Sequence, residues 1–253
     1  MSDYDFKGRG ILVTRAAHQA EGLSRRIRDA RGRAIPFPAL EIAASDAPQG
    51  PRGLLRQRWD LIIFVSPNAV HHAQKLLSGS PLRGTLGAVG EATAAALRHQ
   101  GYSIDLIPQD RYDSEGLLML PQLQRMRGKR VLIVRGEGGR RLLGDSLRAR
   151  GAEVGYAEVY RRLAPEVDPA PLLARWGEEV DLVSVTSVEV MQNLITLLGE
   201  RGWPLLCRTP LLVISERMAE EAEKRGFETV LISTGADDES IMSAIQAWIG
   251  DGA

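Results

Sequence analysis

Disulfides, metal frameworks and net charge are all missing from this 253-residue chain. Its single cysteine, Cys207, cannot form an intrachain disulfide, and four scattered histidines lack the ligand spacing of a structural zinc site. Lys plus Arg and Asp plus Glu stand at 32 each, so the positive field of a general nucleic-acid binder is absent and any anionic ligand has to be held by local chemistry. No stretch is long and apolar enough to span a bilayer, and Met1 to Gly10 is polar and charged, without the apolar core of a signal peptide; the expected location is the cytoplasm. Aromatic residues are few, at 5%, yet 44% hydrophobic and 25% charged residues are the mix of an ordinary soluble globular protein. The length suits two small domains, each with its own core.

What is present is an internal duplication. Four consecutive strand-helix units recur, in cyclically related order, about 120 residues later. The segment Gly10 to Arg15, with a helix ending near Gly32, matches Arg130 to Arg135, with a helix ending near Gly151. Ile35 to Glu41 matches Val154 to Tyr160, which aligns Phe37 with Tyr156. Trp59 to Ser66 matches Val180 to Ser187, and Leu86 to Glu91 matches Leu211 to Glu216, each pair running into an amphipathic helix. Gly101-Tyr102 and Gly226-Phe227 close two of these helices, as glycine does at helix C-termini. Asp105 to Pro108, before a helix opened by Asp113, matches Val230 to Ser233, before one opened by Asp237.

Short apolar, β-branched runs alternating with helices predict parallel sheets covered on both faces, so the fold class is α/β with two similar doubly wound domains. Two divisions of the chain fit the periodicity. One is sequential, with a boundary near Met126; the other nests residues 40 to 160 between the chain ends.

In such sheets ligands collect beyond the carboxyl ends of the strands, where helix N-termini offer unpaired N–H groups. Ser66, Asn68, Gly90 and Thr93 fall there in one set of units, and Ser187, Ser215 and Arg217 in the other. Each taken singly also reads as a helix cap. Arg15 and Arg135 end strands at equivalent places, and Arg135-Gly136-Glu137-Gly138-Gly139-Arg140-Arg141 is a glycine-rich turn loaded with guanidinium groups, suited to carboxylate or phosphate. Arginines at a helix start oppose the helix dipole, which favours an anion beside Arg140 and Arg141. The turn has neither the Gly-Lys-Ser/Thr ending of a phosphate loop nor three spaced dinucleotide glycines. Tyr160 ends an extended segment where its phenol is able to donate a proton or cap a hinge, whereas Tyr156 reads as packing. His71, His72 and His99 lie on predicted helices as surface or packing residues, and His18 follows Arg15.

Along nearly its whole length the chain resembles the uroporphyrinogen-III synthase family. The resemblance rests on the order of Val13-Thr14-Arg15, Phe64 to Val70, Val89 to Ala94, Leu132 to Arg140, Glu158 to Arg162 and Val185-Thr186-Ser187. It implies the nested arrangement: one domain from residues 1–36 and 164–253, a second from 40–160, and a two-stranded connector from segments near 35–42 and 154–163. It implies that linear hydroxymethylbilane loses water and closes, with inversion of ring D through a spiro intermediate, to uroporphyrinogen III, without cofactor or metal. Eight carboxylates on that substrate suit a cleft of arginines, hydroxyls and helix N-termini. Positioning, rather than a strong nucleophile, is then the main task. On this reading Tyr160 assists departure of the hydroxyl, and Thr93, Ser66 and Ser187 position acetates and propionates. Asn68, Gly90, Arg15, Arg135, Arg140, Ser215 and Arg217 complete the expected binding set, although Arg217 departs from the small hydroxyl residue frequent in the family. Partners expected are the bilane and, transiently, the enzyme that supplies it, with no nucleic acid or membrane; the expected state is a monomer.

Two other classes share features with this chain. A two-domain binding protein without catalysis would have the same hinge and cleft, but a cytoplasmic regulator of that kind would bring a DNA-reading helix pair, and here the N-terminus leads straight into a strand. A phosphoryl-accepting duplication would need an aspartate at a strand end, whereas Asp60 and Asp181 open their strands.

Overall fold

Aliphatic runs cut by glycine and polar turns set the strands of the computed structural model, which describes residues 4–109 and 111–250. Residues 1–3 and 251–253, the outer ends of the expected discontinuous domain, and Asp110 in the other lie outside the described residues. The strands are β1 (Gly10–Val13), β2 (Arg33–Pro36), β3 (Glu41–Ala44), β4 (Arg58–Phe64), β5 (Arg83–Ala88), β6 (Arg130–Gly136), β7 (Glu153–Leu163), β8 (Leu182–Ser184), β9 (Leu211–Val213) and β10 (Val230–Ile232). The helices are α1 (Ala17–Asp29), α2 (Gln49–Leu55), α3 (Pro67–Leu77), α4 (Glu91–His99), α5 (Ser114–Met119), α6 (Leu142–Ala149), α7 (Ala170–Leu173), α8 (Trp176–Glu179), α9 (Val188–Arg208), α10 (Glu216–Arg225) and α11 (Asp238–Gly250).

The chain divides into two compact units, Met1–Glu41 with Leu163–Ala253, and Ile42–Arg162. The first carries a sheet in the order β10-β9-β8-β1-β2, the second one in the order β3-β7-β6-β4-β5. Ile11 pairs with Leu182, so segments from the two ends of the chain share one sheet. Strand β3 lies beside β7 at the edge of the second sheet, and β2 stays in the first.

The duplication is legible in the strand registers. Ile11 lies opposite Leu182 as Val131 lies opposite Leu61, and all these ladders are parallel. On the other side of each central strand Ile11 meets Ala34 and Val131 meets Val154. Ala34 therefore matches Val154, one residue away from the alignment expected from the sequence, and Phe37 matches Ala157 rather than Tyr156. A one-residue slip turns every side chain to the other face, and burial agrees: Phe37 and Ala157 are both buried, while Tyr156 is only half-buried. The error came from taking Gly32 as the helix stop. The left-handed residue after α1 is Arg31, at φ 59°, in the place that Gly151 occupies after α6. Gly32 is one residue further on, where its N–H bonds the Ile27 carbonyl and an added Cβ would lie 2.9 Å from the Ile27 side chain.

Alternation along each strand covers both faces of both sheets. Ile62, Phe64, Leu132 and Val134 pack with Val70 and Leu97 of α3 and α4 on one side, and Leu61, Ile63, Val131 and Ile133 pack with Leu117 and Leu147 of α5 and α6 on the other. In the first unit Leu12, Val183 and Leu211 face Met191 and Met218, while Ile11, Val13 and Leu182 face Leu23 and Ile245. Asp60 and Asp181 have the same structural task at the amino ends of the strands: one accepts the Arg130 N–H at 2.8 Å, the other the Gly10 N–H at 2.6 Å. α9 is broken at Gly199, whose φ of 60° lies in the left-handed region.

Candidate active site

At the carboxyl ends of β4, β5, β8 and β9 the chain turns into a helix through a single extended residue. Ser66, Gly90, Ser187 and Ser215 all sit there with φ between −161° and −166° and ψ between 154° and 172°. The serine oxygens accept from the N–H of Ala69 at 3.1 Å, Val190 at 3.1 Å and Met218 at 3.4 Å. Pro67 follows Ser66 at the first helical position, where its fixed φ suits the start and its missing N–H costs nothing. These residues are caps, and the same geometry leaves the first N–H groups of the helices and the positive end of the dipole at the strand ends. Asn68 occupies the second helical position of α3, half-buried, and Arg217 the second of α10, exposed. Thr93 is buried at the third position of α4. Beside Gly90 lies exposed Tyr112, whose Cβ would come within 3.1 Å of a Cβ added at the glycine.

Tyr160 is 1% exposed and stands inside the core cluster of the second unit rather than at its surface. Its hydroxyl lies 3.2 Å from Oγ of Ser66 and accepts from Nη2 of Arg162 at 3.3 Å. The ring packs against that of buried His72, with centroids 5.6 Å apart, and Gly136 leaves the room it needs: a Cβ there would be 2.6 Å from Cε2 and Cζ. Ser66 is thus both the cap of α3 and the polar neighbour that reaches between the tyrosine and the strand-end rim.

The two strand-end arginines are held by carboxylates of their own unit. Arg15 donates to Asp238 at 2.5 Å and to the Ala236 carbonyl at 2.6 Å. Arg135, buried, donates through Nε and Nη2 to Oε1 of Glu158 at 3.1 and 2.9 Å and through Nη1 to the carbonyl of Arg140 at 3.1 Å. Its guanidinium also lies 4.4 Å from the centre of the Tyr156 ring. Arg135 therefore braces the 136–141 turn from beneath, and the turn carries two exposed arginines, Arg140, 3.9 Å from Glu115, and Arg141. Arg162, Glu158 and Asp238 escaped the sequence reading. Their signal was weak, since Asp238 gains its meaning from Arg15 far away along the chain and Glu158 from Arg135 on the neighbouring strand, while Arg162 meets Tyr160 two residues back on the same strand, where the sequence does not show how deeply the phenol lies.

Among the described residues no group of three or more His, Cys, Asp or Glu is placed to hold a metal ion, and no helix is long and apolar enough to cross a membrane. Residues 21–243 match the family described as uroporphyrinogen-III synthase HemD. The uroporphyrinogen-III synthase of Escherichia coli (strain K12) is 40% identical over 246 residues, 93% of this chain and 99% of that enzyme. That of Salmonella typhimurium is 39% identical over 247 residues, 93% and 99% of the two chains. In fold the chain resembles the solved structures of a mutant uroporphyrinogen III synthase from Thermus thermophilus, with TM-score 0.62 and 18% identity over 95% of this chain and 98% of that one, and of uroporphyrinogen-III synthetase from Helicobacter pylori 26695, with TM-score 0.62 and 16% identity over 95% and 99%. By the family match and by identity across almost the full length of curated synthases, this chain belongs to the uroporphyrinogen-III synthase family.

Proposed function

We propose that this chain is a hydro-lyase acting in the cytoplasm on linear hydroxymethylbilane, removing water and closing the macrocycle with inversion of ring D to uroporphyrinogen III. The observation that carries this reading is the 40% identity to the Escherichia coli synthase across 99% of its length. Acetates and propionates of the bilane are taken by helix N-termini and by exposed guanidinium groups: Ser66, Asn68, Gly90, Thr93 and Arg140 in one unit, Ser187, Ser215 and Arg217 in the other. Arg15 and Arg135 serve the same binding by position, holding the start of α11 and the 136–141 turn through Asp238 and the Arg140 carbonyl.

Departure of the bilane hydroxyl needs a proton. With Arg162 donating to the Tyr160 oxygen, the phenolic proton is directed at Ser66 Oγ, 3.2 Å away, and the serine's own proton is left for the leaving group. The tyrosine thus acts through the serine, since its buried ring keeps its own hydroxyl from the surface. A transient contact with the enzyme that supplies the bilane belongs to the same reading, because a bilane left in water closes without inversion.

The test is a coupled assay: hydroxymethylbilane is generated in situ, products are oxidised, and the type I and type III porphyrins are separated by chromatography. A type III excess that depends on this protein is expected. Only the spontaneous type I isomer from a folded sample would sink the synthase reading in favour of a binding protein, and an undiminished rate in Tyr160→Phe would remove the proton relay.

A further inference from the structure

We propose a second anion site in Ile42–Arg162, at the amino ends of the strands and therefore away from the strand-end caps: a cavity that takes an amphipathic organic dianion. The cavity measures about 740 Å³ and lies among the starts of β4, β5 and β6. Such a volume suits a small organic ligand. Its polar wall is cationic. Arg58, Arg83 and Arg125 line it, and none of the three has an ion-pair partner among the described residues. The carboxylate within reach, Asp60, is already committed to the Arg130 N–H and to Lys129, 3.6 Å away. Leu106, Leu123 and Met126 supply an apolar floor.

Two relationships point to a ligand rather than to an ordinary solvated surface. Arg58 and Arg83 are register partners on adjacent strands. Like charges placed directly opposite destabilise a sheet, and an anion bridging the two guanidinium groups removes that repulsion. The duplicated unit supplies the control. At the same end of its sheet several arginines lie beside acids: Arg9 and Arg33 share Asp181, Arg175 pairs with Glu179, and Arg208 comes to 4.0 Å from Glu228. Lys129 and Arg130 of the second copy are likewise paired, with Asp60 and Glu153, so what sets the cavity apart is that Arg58, Arg83 and Arg125 have no such partner among the described residues. Two arginines in register on adjacent strands ask for two acidic groups, and the floor asks for an apolar body between or behind them. Carboxylates and phosphates share this chemistry.

The test uses the whole chain and the fluorescent dianion bis-anilinonaphthalene sulfonate, with neutral phenylnaphthylamine as comparison. Wild type is expected to bind the dianion more tightly than the neutral probe, and Arg58→Gln/Arg83→Gln to weaken dianion binding at least about tenfold, as loss of charge-assisted bonds does. Arg175→Gln/Arg208→Gln in the other unit is expected to leave it unchanged, and both double variants are expected to retain the type III product ratio. Displacement by citrate identifies carboxylates as the natural groups, and displacement by inorganic pyrophosphate identifies phosphates. Displacement by neither, or dianion binding in Arg58→Gln/Arg83→Gln within twofold of wild type, overturns the site. Because these arginines are exposed, the variants should fold. A thermal midpoint for Arg58→Gln/Arg83→Gln at or above that of wild type, no longer raised by added pyrophosphate or citrate, is the second expected readout.

Discussion

Oγ of Ser66 accepts the N–H of Ala69 at 3.1 Å and lies 3.2 Å from the hydroxyl of Tyr160, so one oxygen joins a helix cap to the phenol of a buried tyrosine. Removing the serine oxygen takes away the cap and leaves the phenol with Arg162 alone. Ser66→Ala is expected to cost about 1–2 kcal/mol, the usual range for a lost cap with a lost buried bond. Tyr160→Phe leaves the cap in place and should cost about 1 kcal/mol or less. Urea unfolding of both single variants and the double variant gives the coupling between them. A cycle closing at zero would mean that the 3.2 Å contact has no energetic weight.

Gly136 and Gly90 make a contrasting pair. An alanine at 136 would press its Cβ to within 2.6 Å of the Tyr160 ring, which is buried and has nowhere to go. Gly136→Ala is expected to lose about 1–3 kcal/mol by overpacking and to slow turnover by moving the ring away from Ser66. At Gly90 the backbone is extended and the near atom is Cβ of Tyr112 at 3.1 Å, which needs to yield only a few tenths of an ångström, so Gly90→Ala should cost about 1 kcal/mol or less. Equal losses from the two substitutions, measured by denaturant midpoints, would contradict this account.

The helix stops of the duplicated copies predict opposite signs. Arg31 holds a left-handed φ of 59°, which costs a side-chain-bearing residue about 1–2 kcal/mol. Arg31→Gly relieves that strain, gives up an exposed pair with Asp5 and adds backbone freedom to the unfolded chain, for a net gain below about 1 kcal/mol. Gly151→Ala places a side chain at φ 90° and a Cβ 2.9 Å from the Arg127 backbone, so it should lose about 1–2 kcal/mol. Thermal midpoints moving in the same direction in both variants would refute the comparison.

Asp237 carries a pH dependence. The Ser240 N–H and then its hydroxyl bond the carboxylate at 2.9 and 2.7 Å and hold it below the ordinary aspartate range. A carboxyl whose folded value is depressed stabilises the fold above its unfolded value, and the contribution disappears as pH falls through the folded value. Asp237→Asn keeps a capping side chain without the titration. Wild type should therefore exceed Asp237→Asn in urea midpoint near pH 7 and lose that advantage as pH falls below the ordinary aspartate range. A difference that stays constant with pH would show that the charge contributes nothing.

Sequence by itself determined the parallel α/β class, the duplication and the strand-end positions of Ser66, Ser187 and Ser215, because side-chain alternation, β-branched runs and capping residues are local signals written in consecutive residues. It left open whether the units follow one another or nest, since hydrophobic periodicity carries no record of which strands meet; that was decided by pairings such as Ile11 with Leu182, about 170 residues apart. Local reading also misplaced the first helix stop by one residue, since glycine is the expected left-handed residue and here arginine takes that conformation. The partners that commit Arg15 to Asp238 and Arg135 to Glu158, and the depth at which Tyr160 lies, belong to the tertiary structure alone. An arginine after a strand looks the same in sequence whether its guanidinium meets water, a ligand or a carboxylate brought in from elsewhere, and only packing selects among them.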